Sequence, residues 1–96
     1  MEIIKTAVAG TLESSDIMVT LEPNTSGIAI ELTSTVEKQF GALIKDVIME
    51  TLKEMDIENA RIVAVDKGAL DCTIKARVKT VICRATESDY VFKGES

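Results

Sequence analysis

The stretch that decides the fold runs from Ile17 to Met55 and reads IMVTLEPNTSGIAIELT (17–33) followed by STVEKQFGALIKDVIMETLKEM (34–55). Its first half alternates apolar and polar residues on both sides of a cluster of turn formers, which is the period of half-buried strands. Its second half has apolar residues at spacings of three and four, which is typical of a helix with one buried stripe. Two strands followed by a long helix predict a helix that packs on a sheet.

The two alternating runs predict a β-hairpin with its turn at Glu22–Gly27. The residues predicted to share one face are Ile17, Val19 and Leu21 in the first run and Ile28, Ile30 and Leu32 in the second. Upstream, the chain from Ile3 to Ala9 forms a weaker extended segment that ends at Gly10. A polar run, Thr11–Asp16, separates it from the first alternating strand.

The long helix is predicted to open at Ser34, because Glu37 follows at the spacing of a capping box. The predicted buried stripe comprises Val36, Phe40, Leu43, Ile44, Val47, Ile48, Leu52 and Met55. Charged residues occupy the remaining faces of this helix.

The downstream part predicts a central strand at 61–65, a turn at 66–68 and a second helix. The predicted core face of that helix comprises Leu70, Ile74, Val78, Val81, Ile82 and Ala85. Together the elements predict an α+β two-layer sandwich over residues 1–96, one domain in which a small β-sheet including an N-terminal hairpin carries two helices on one face. Tyr90 and Phe92 either fold back onto the core or lie loose.

The charge balance argues against two classes of partner. The chain has 96 residues with 16 acidic and 11 basic side chains, a net charge of -5. A negative field repels nucleic-acid phosphates and anionic lipid, so we expect no nucleic acid and no membrane as partner. The first residues lack the pattern of a signal peptide and no run approaches a membrane span, so a cytoplasmic location is expected.

The chain offers few groups for catalysis or metal binding. It has no histidine, the residue whose ordinary pKa lies near neutrality, and no glycine-rich phosphate loop. On one helix Cys72 and Cys83 would lie about 16 Å apart, too far for a disulfide or a shared metal ion. Glu50 and Glu54 could bind a hard cation, but such pairs are usually solvated. We therefore expect no metal site and no catalysis by this chain alone.

The polar run Thr11–Asp16 has two interpretations. One is a loop whose side chains form an Asx-type turn before a strand. The other is an exposed serine that another enzyme modifies, since Thr11, Ser14 and Ser15 all offer hydroxyl groups. Composition alone favours the first interpretation.

The second helix and the acidic residues each suggest a docking surface. Ala69, Cys72, Ala76 and Cys83 fall in a narrow row on that helix, which either packs beneath other parts of the chain or admits a partner closely. The acidic residues are most concentrated at Glu50, Glu54, Asp56 and Glu58. A solvated face is the ordinary interpretation, and electrostatic steering of a carrier toward larger enzymes is the alternative.

Three segments resemble one known family. The run AVAGTLESSD at 7–16 resembles the N-terminal motif of the citrate lyase acyl carrier protein, the gamma subunit. The segments STVEKQFG at 34–41 and VDKGALDC at 65–72 also match, in the same order and separation, so the resemblance covers residues 7 to about 86. Glycine is the familiar residue of the family at the position of Ser15. Two adjacent hydroxyls therefore remain possible by chemistry, and the register of the motif favours Ser14.

The resemblance implies a carrier function. In that family the serine that corresponds to Ser14 bears 2'-(5''-phosphoribosyl)-3'-dephospho-CoA through a phosphodiester, and the terminal thiol carries acetyl or citryl groups. The alpha subunit exchanges acetyl for citrate, the beta subunit cleaves the citryl group, and a separate transferase installs the prosthetic group. The cofactor-binding residue is then Ser14, and no residue is catalytic.

Two other functions remain. The carrier subunit of malonate decarboxylase uses the same prosthetic group, although its resemblance is weaker. A regulatory module of the ACT kind would bind a small ligand between α+β domains. That function predicts a homo-oligomer and no covalent group.

Overall fold

The computed structural model describes residues 2–86, which form strands and helices in the predicted order. The elements are β1 (Ala7–Gly10), β2 (Ile17–Glu22), β3 (Ile28–Ser34), α1 (Glu37–Glu54), β4 (Ala60–Asp66) and α2 (Asp71–Thr86). The predicted α+β class is confirmed. The prediction for Tyr90 and Phe92 lies outside the described residues.

The strands form one mixed sheet in the order β1-β2-β4-β3. β1 pairs with β2 and β2 pairs with β4 in antiparallel registers, whereas β3 and β4 are parallel. The predicted central strand is confirmed, because β4 has a hydrogen-bonded neighbour on each side. The N-terminal hairpin is formed by β1 and β2, with the polar run 11–16 at its tip.

The predicted hairpin of β2 and β3 is wrong, because β4 lies between these two strands. Their turn is fixed to the start of β4 instead of closing a two-stranded ladder. The Gly27 amide donates to the Asn59 side chain at 2.7 Å, and the Ala60 amide donates to the Gly27 carbonyl at 3.1 Å. Alternation shows which face of a strand is buried and leaves its neighbour undetermined.

Both helices pack on one face of the sheet. α1 contacts α2 and β3, and α2 contacts α1, β1 and β2. The alternating residues that face the helices are buried: Ile17, Val19 and Leu21 in β2, and Ala60, Ile62 and Ala64 in β4. Aliphatic side chains build this core, as the low aromatic content predicts.

The predicted capping box at Ser34 is wrong. Helix α1 begins at Glu37 and its N-cap, Val36, makes no side-chain cap hydrogen bond. Ser34 is the last residue of β3, and its hydroxyl donates to the carboxylate of Asp66 at 2.8 Å. A buried carboxylate is a stronger acceptor than the alternatives near the helix start, so the serine hydroxyl is engaged between strands.

The helical stripes are only partly buried. Ile44, Val47, Ile48 and Leu52 of α1 are buried as predicted, and the α2 residues that are buried as predicted are Ile74, Val78, Val81, Ile82 and Ala85. The assignments of Phe40, Leu43 and Leu70 to the core are wrong, since 47%, 60% and 70% of these side chains are exposed. They line an open groove between α1 and the connection from β4 to α2.

The row of small residues on α2 does not form a continuous exposed strip. Cys83 is buried, whereas Cys72 and Ala76 are exposed and Ala69 packs partly against the core. Both cysteines are free thiols. Within residues 2–86, no helix has the length and apolar character needed to span a membrane.

Candidate functional site

The polar run Thr11–Asp16 connects β1 to β2 at one end of the sheet. Gly10, the last residue of β1, has a φ of 91°, and a Cβ there would lie 1.8 Å from the Ile17 carbonyl oxygen. Only glycine permits this close approach of the two strands at the base of the tip. The backbone therefore enters the loop along one defined path.

Asp16 anchors the loop from inside. Its carboxylate accepts hydrogen bonds from the Thr11 hydroxyl at 2.6 Å and from the Ile17 amide at 2.7 Å. Arg77 of α2 adds two more, from Nε at 3.0 Å and from Nη2 at 2.8 Å. The side-chain hydrogen bonds from Arg77 and then from Thr11 hold the pKa of Asp16 well below its usual range, and the same ion pair raises the pKa of Arg77.

The loop is also clamped through its backbone. The Ser15 amide donates to the Lys67 carbonyl at 2.8 Å, and the Lys67 amide donates to the Asp16 carbonyl at 2.8 Å. A further bond joins the Asp16 amide to the Glu13 carbonyl at 3.2 Å. These bonds tie the hairpin tip to the connection between β4 and α2, about fifty residues further along the chain.

The structure sets the hydroxyl of Thr11 apart from the two serine hydroxyls of the loop. Thr11 bonds Asp16 and also accepts a hydrogen bond from the Glu13 amide at 3.2 Å, so its hydroxyl has a structural task. Ser14 is exposed at the tip, and its hydroxyl makes no hydrogen bond to any described residue. The turn is stabilised by side chains, as one interpretation predicts, and Ser14 is exposed, whereas its modification by another enzyme stays a prediction.

Ser15 is exposed as well, but its backbone is constrained. Its φ of 66° lies in the left-handed region, which glycine adopts more easily than serine does. A glycine at this position would adopt the conformation with less strain than serine does. Adjacent serines therefore differ in backbone conformation as well as in position.

Asp66 is the second buried carboxylate at this end of the sheet. From the sequence, this residue was predicted only to form part of a turn. One oxygen accepts from the Ser34 hydroxyl at 2.8 Å and from the Gly68 amide at 3.1 Å, and the other accepts from the Ala69 amide at 3.0 Å. Asp66 also stands opposite Ile17 in the β2–β4 register. It fixes the connection to which the loop is clamped.

Sequence reasoning missed the ion pair of Asp16 with Arg77 for a simple reason. The two residues are separated by 61 positions, and an arginine on a helix carries no local signal of its partner. The role of Asp66 could have been suspected, because an aspartate before Lys67 and Gly68 commonly bonds the following backbone amides.

An open groove lies beside this clamp, between α1 and the connection from β4 to α2. Its volume is about 750 Å³. It is lined by Val36, Phe40, Leu43, Ile44, Asp46, Val47, Glu50, Asp66, Gly68, Ala69, Leu70 and Asp71. The lining is mainly apolar, with carboxylates among the exposed residues.

Within residues 2–86, no group of three or more histidine, cysteine, aspartate or glutamate side chains comes together as potential metal ligands. Glu50 and Glu54 are both exposed, and Glu54 lies 3.9 Å from the ammonium group of Lys79. These glutamates behave as ordinary surface residues of α1.

Comparison with known proteins identifies the family. An acyl carrier protein profile described as malonate decarboxylase delta subunit (MdcD) matches residues 4–85. The fold resembles a chain of a Pseudomonas malonate decarboxylase hetero-tetramer in complex with malonate, with a TM-score of 0.76, 19% identity and 88% of each chain covered. At that identity the likeness extends to the fold alone.

Curated relatives are much more similar in sequence. The chain is 57% identical to the citrate lyase acyl carrier protein of Streptococcus uberis, covering 93% of this chain and 88% of the relative. It is 59% identical to the proteins of the same name from Lacticaseibacillus casei and Lactiplantibacillus plantarum, covering 92% of this chain and 87% and 92% of those relatives. With identity this high over nearly its whole length, the chain belongs to the citrate lyase acyl carrier protein family.

Proposed function

We propose that this chain is the acyl carrier subunit of citrate lyase, and that Ser14 bears 2'-(5''-phosphoribosyl)-3'-dephospho-CoA through a phosphodiester. The group would supply a terminal thiol that holds acetyl or citryl as a thioester. The observation that carries the proposal is an exposed Ser14 hydroxyl, without a hydrogen bond to the described residues, on a loop whose base is fixed. A carrier needs an accessible attachment point and a defined base for its arm.

The residues around Ser14 fit a covalent phosphate-bearing group. The hydroxyl lies at a hairpin tip, where a bulky substituent can extend into water without displacing core residues. The tip is connected by its backbone to Lys67, and Arg77 lies behind it with 39% of its side chain exposed. Positive charge near an acidic loop reduces the repulsion that a phosphodiester would meet there.

The described residues of the chain would provide a fixed base to which the prosthetic group is attached. Asp16 and Arg77 hold the loop against α2, and the Ser15 and Lys67 amides hold it against the end of β4. Delivery of an acyl group by a tethered arm is intramolecular, so its rate is set by effective concentration. The chemistry itself would belong to other subunits, in agreement with the lack of histidine in this chain.

The proposed partners are the alpha subunit as acyl transferase, the beta subunit as citryl lyase, and a transferase that installs the prosthetic group. We expect the chain to act as a single carrier domain in the cytoplasm, where thiols such as Cys72 and Cys83 stay reduced. Nucleic acid and membranes are not proposed as partners, given the net charge of -5.

Intact mass spectrometry tests the attachment. The chain is produced together with its transferase and the enzymes that make the prosthetic group, and we expect a mass increase equal to phosphoribosyl-dephospho-CoA. Ser14→Ala should abolish the increase. Ser15→Ala should retain it, and Ser15→Gly should retain it as well, which separates loss of a hydroxyl from strain at a left-handed residue.

Two results would contradict the proposal. If the wild-type chain stays unmodified under these conditions, the carrier function is wrong, and an ACT-like regulatory function becomes the better explanation. If both Ser15 variants lose the group while Ser14→Ala keeps it, the function stands and the assignment to Ser14 is wrong.

A carrier for malonate decarboxylase is the second candidate, and the match of the delta-subunit profile to residues 4–85 favours it. The citrate lyase relatives, at 57% to 59% identity, favour the first. Loaded carrier reconstituted with citrate lyase alpha and beta subunits should release oxaloacetate from citrate. Activity only with malonate decarboxylase subunits would reverse the order of the two candidates.

A further inference from the structure

The groove between α1 and the connection from β4 to α2 brings several exposed apolar side chains together. Three of the six large hydrophobic residues that the structure exposes within residues 2–86 line it: Phe40, Leu43 and Leu70. Burying such surface against a partner is favourable by about 25 cal/mol per Å². Grouped exposure of this kind on a small domain is typical of an interaction site.

The charges of the groove select the kind of partner. Asp46, Glu50 and Asp71 lie in its lining and are exposed, and none of the lining residues that the structure describes is lysine or arginine. A cationic rim on the partner would therefore find complementary charge around an apolar centre. An interface core of apolar contacts with a charged rim is the usual arrangement between proteins.

The same charges disfavour other occupants. An arm that carries phosphates and a citryl group is anionic, so the carboxylates of the groove would repel it. A second copy of this chain has the same net charge of -5, which opposes association through an acidic face.

The groove also has a defined relation to the proposed attachment loop. Gly68 lines the groove, and the preceding residue, Lys67, exchanges backbone hydrogen bonds with Ser15 and Asp16. A protein seated in the groove would therefore meet the carrier next to the base of the arm.

We propose that this groove is the docking site for a protein surface that presents an apolar side chain surrounded by lysine or arginine residues. The surface belongs to a subunit that receives the arm, so this inference rests on the proposed carrier function. Phe40, Leu43 and Leu70 make the apolar contact, and Asp46, Glu50 and Asp71 form the charged rim.

Binding measurements with matched variants test the docking site. Prosthetic-group-loaded carrier is titrated calorimetrically against purified citrate lyase alpha and beta subunits, each in turn. Leu43→Ser should weaken binding of at least one subunit about tenfold, as expected for a residue at the centre of an interface. Glu50→Lys should weaken binding of the same subunit about three- to tenfold and reduce its dependence on salt, because a rim charge is reversed.

The chain supplies a control for each variant outside the groove. Ile4 is 56% exposed, close to the 60% of Leu43, so Ile4→Ser removes a comparable apolar side chain elsewhere. Glu58→Lys makes the same change of net charge as Glu50→Lys at an exposed residue that does not line the groove. Both controls should bind like the wild type, and circular dichroism should show all four variants folded.

The outcomes separate this proposal from the proposed function. If the carrier is loaded at Ser14 and wild-type binding is measurable, equal affinity of Leu43→Ser and the wild type overturns the docking site and leaves the carrier function intact. Equal losses in the Ile4 and Leu43 variants also overturn it. A carrier whose self-association, measured by sedimentation, depends on Leu43 would identify a second copy as occupant and overturn the proposed partner. Failure of the loading itself overturns the carrier function.

Discussion

At the scale of single residues, the ion pair of Asp16 and Arg77 is the decisive contact of the loop. Asp16 is largely buried and accepts hydrogen bonds from two side chains and one backbone amide. A buried carboxylate is tolerated only when its oxygens are satisfied in this way. The ion pair therefore joins the loop to α2.

We expect Asp16→Asn to lower the free energy of unfolding by about 2 kcal/mol, because charge-assisted hydrogen bonds are lost and an amide nitrogen faces the donors of Arg77 and Thr11. Chemical denaturation at neutral pH measures the change. Glu58→Gln, at an exposed residue, serves as the control and should change the free energy of unfolding by less than about 0.5 kcal/mol. A loss in Asp16→Asn no larger than in the control would mean that the pair contributes nothing to stability.

The same residue predicts how stability depends on pH. The pKa of Asp16 is lowered in the folded state by Arg77 and Thr11, whereas in the unfolded chain it returns to about 3.9. The contribution of Asp16 is therefore fully present above that value and is lost as the pH falls through it toward the lower pKa of the folded state. The Asp16→Asn variant should lack this component of the acid dependence between roughly pH 5 and pH 2. Parallel stability curves of the two proteins over this range would contradict the assignment.

At the scale of elements, the β1–β2 hairpin depends on Gly10. A Cβ at this position would lie 1.8 Å from the Ile17 carbonyl oxygen, a backbone atom that cannot move aside without separating the strands. Gly27 offers a matched comparison, since its φ of 75° is also positive but a Cβ there meets no atom within 4 Å.

We expect Gly27→Ala to cost about 1 kcal/mol, the strain of a left-handed residue, and Gly10→Ala to cost about 3 kcal/mol or more, because a steric clash is added. Urea denaturation of both variants checks the difference. Equal losses would show that the hairpin relaxes around the added methyl group, and that the tip is less tightly defined than its hydrogen bonds indicate.

The sequence predicts individual elements better than it predicts their arrangement. Period-two alternation identified β2 and β3, and period-3.6 spacing identified α1, because burial on one face is a local property. The pairing of β2 with β4 could not be read in this way, since it depends on residues such as Asn59 and Gly27 that meet only after folding. The capping prediction failed for a similar reason, because Asp66 engages the Ser34 hydroxyl from another strand.

The candidate site likewise has features that the sequence predicts and features that it does not. The exposed position of Ser14 follows from a polar run between two apolar segments, so it was predictable. The anchoring by Arg77 and the groove were not. A stripe of apolar residues predicts burial against the domain's own core, whereas Phe40, Leu43 and Leu70 are exposed in the groove.

At the scale of the whole molecule, the fold combines a firm base with a free attachment point. The base consists of a sheet end where β3 and β4 terminate, two buried carboxylates and the starts of both helices. The hydroxyl of Ser14 extends from this base without a hydrogen bond to any described residue. The length of the prosthetic group would thus determine how far the thioester extends. The protein would fix the direction in which the group leaves Ser14.

Hydrogen exchange tests this separation of a firm base from a free tip. The β4 amides should exchange only by global unfolding, because this strand has partners on both sides and alternate residues in the core. The Ser15 and Lys67 amides should also be protected, at an intermediate level, since each donates to a backbone carbonyl at 2.8 Å. The Glu13 amide, which donates only to the exposed Thr11 hydroxyl at 3.2 Å, should exchange much faster.

Hydrogen exchange in the Asp16→Asn variant tests whether the ion pair with Arg77 holds the base of the loop closed. Loss of the Arg77 contact should accelerate exchange at Ser15 and Lys67 more than at the β4 amides, after correction for the global change in stability, because local opening of the loop becomes easier. Glu58→Gln should leave all of these amides as in the wild type. If Ser15 in the wild type exchanged as fast as an unfolded peptide, the loop would not be held at its base. The arm would then start from a flexible segment, and the protein would contribute tethering without orientation.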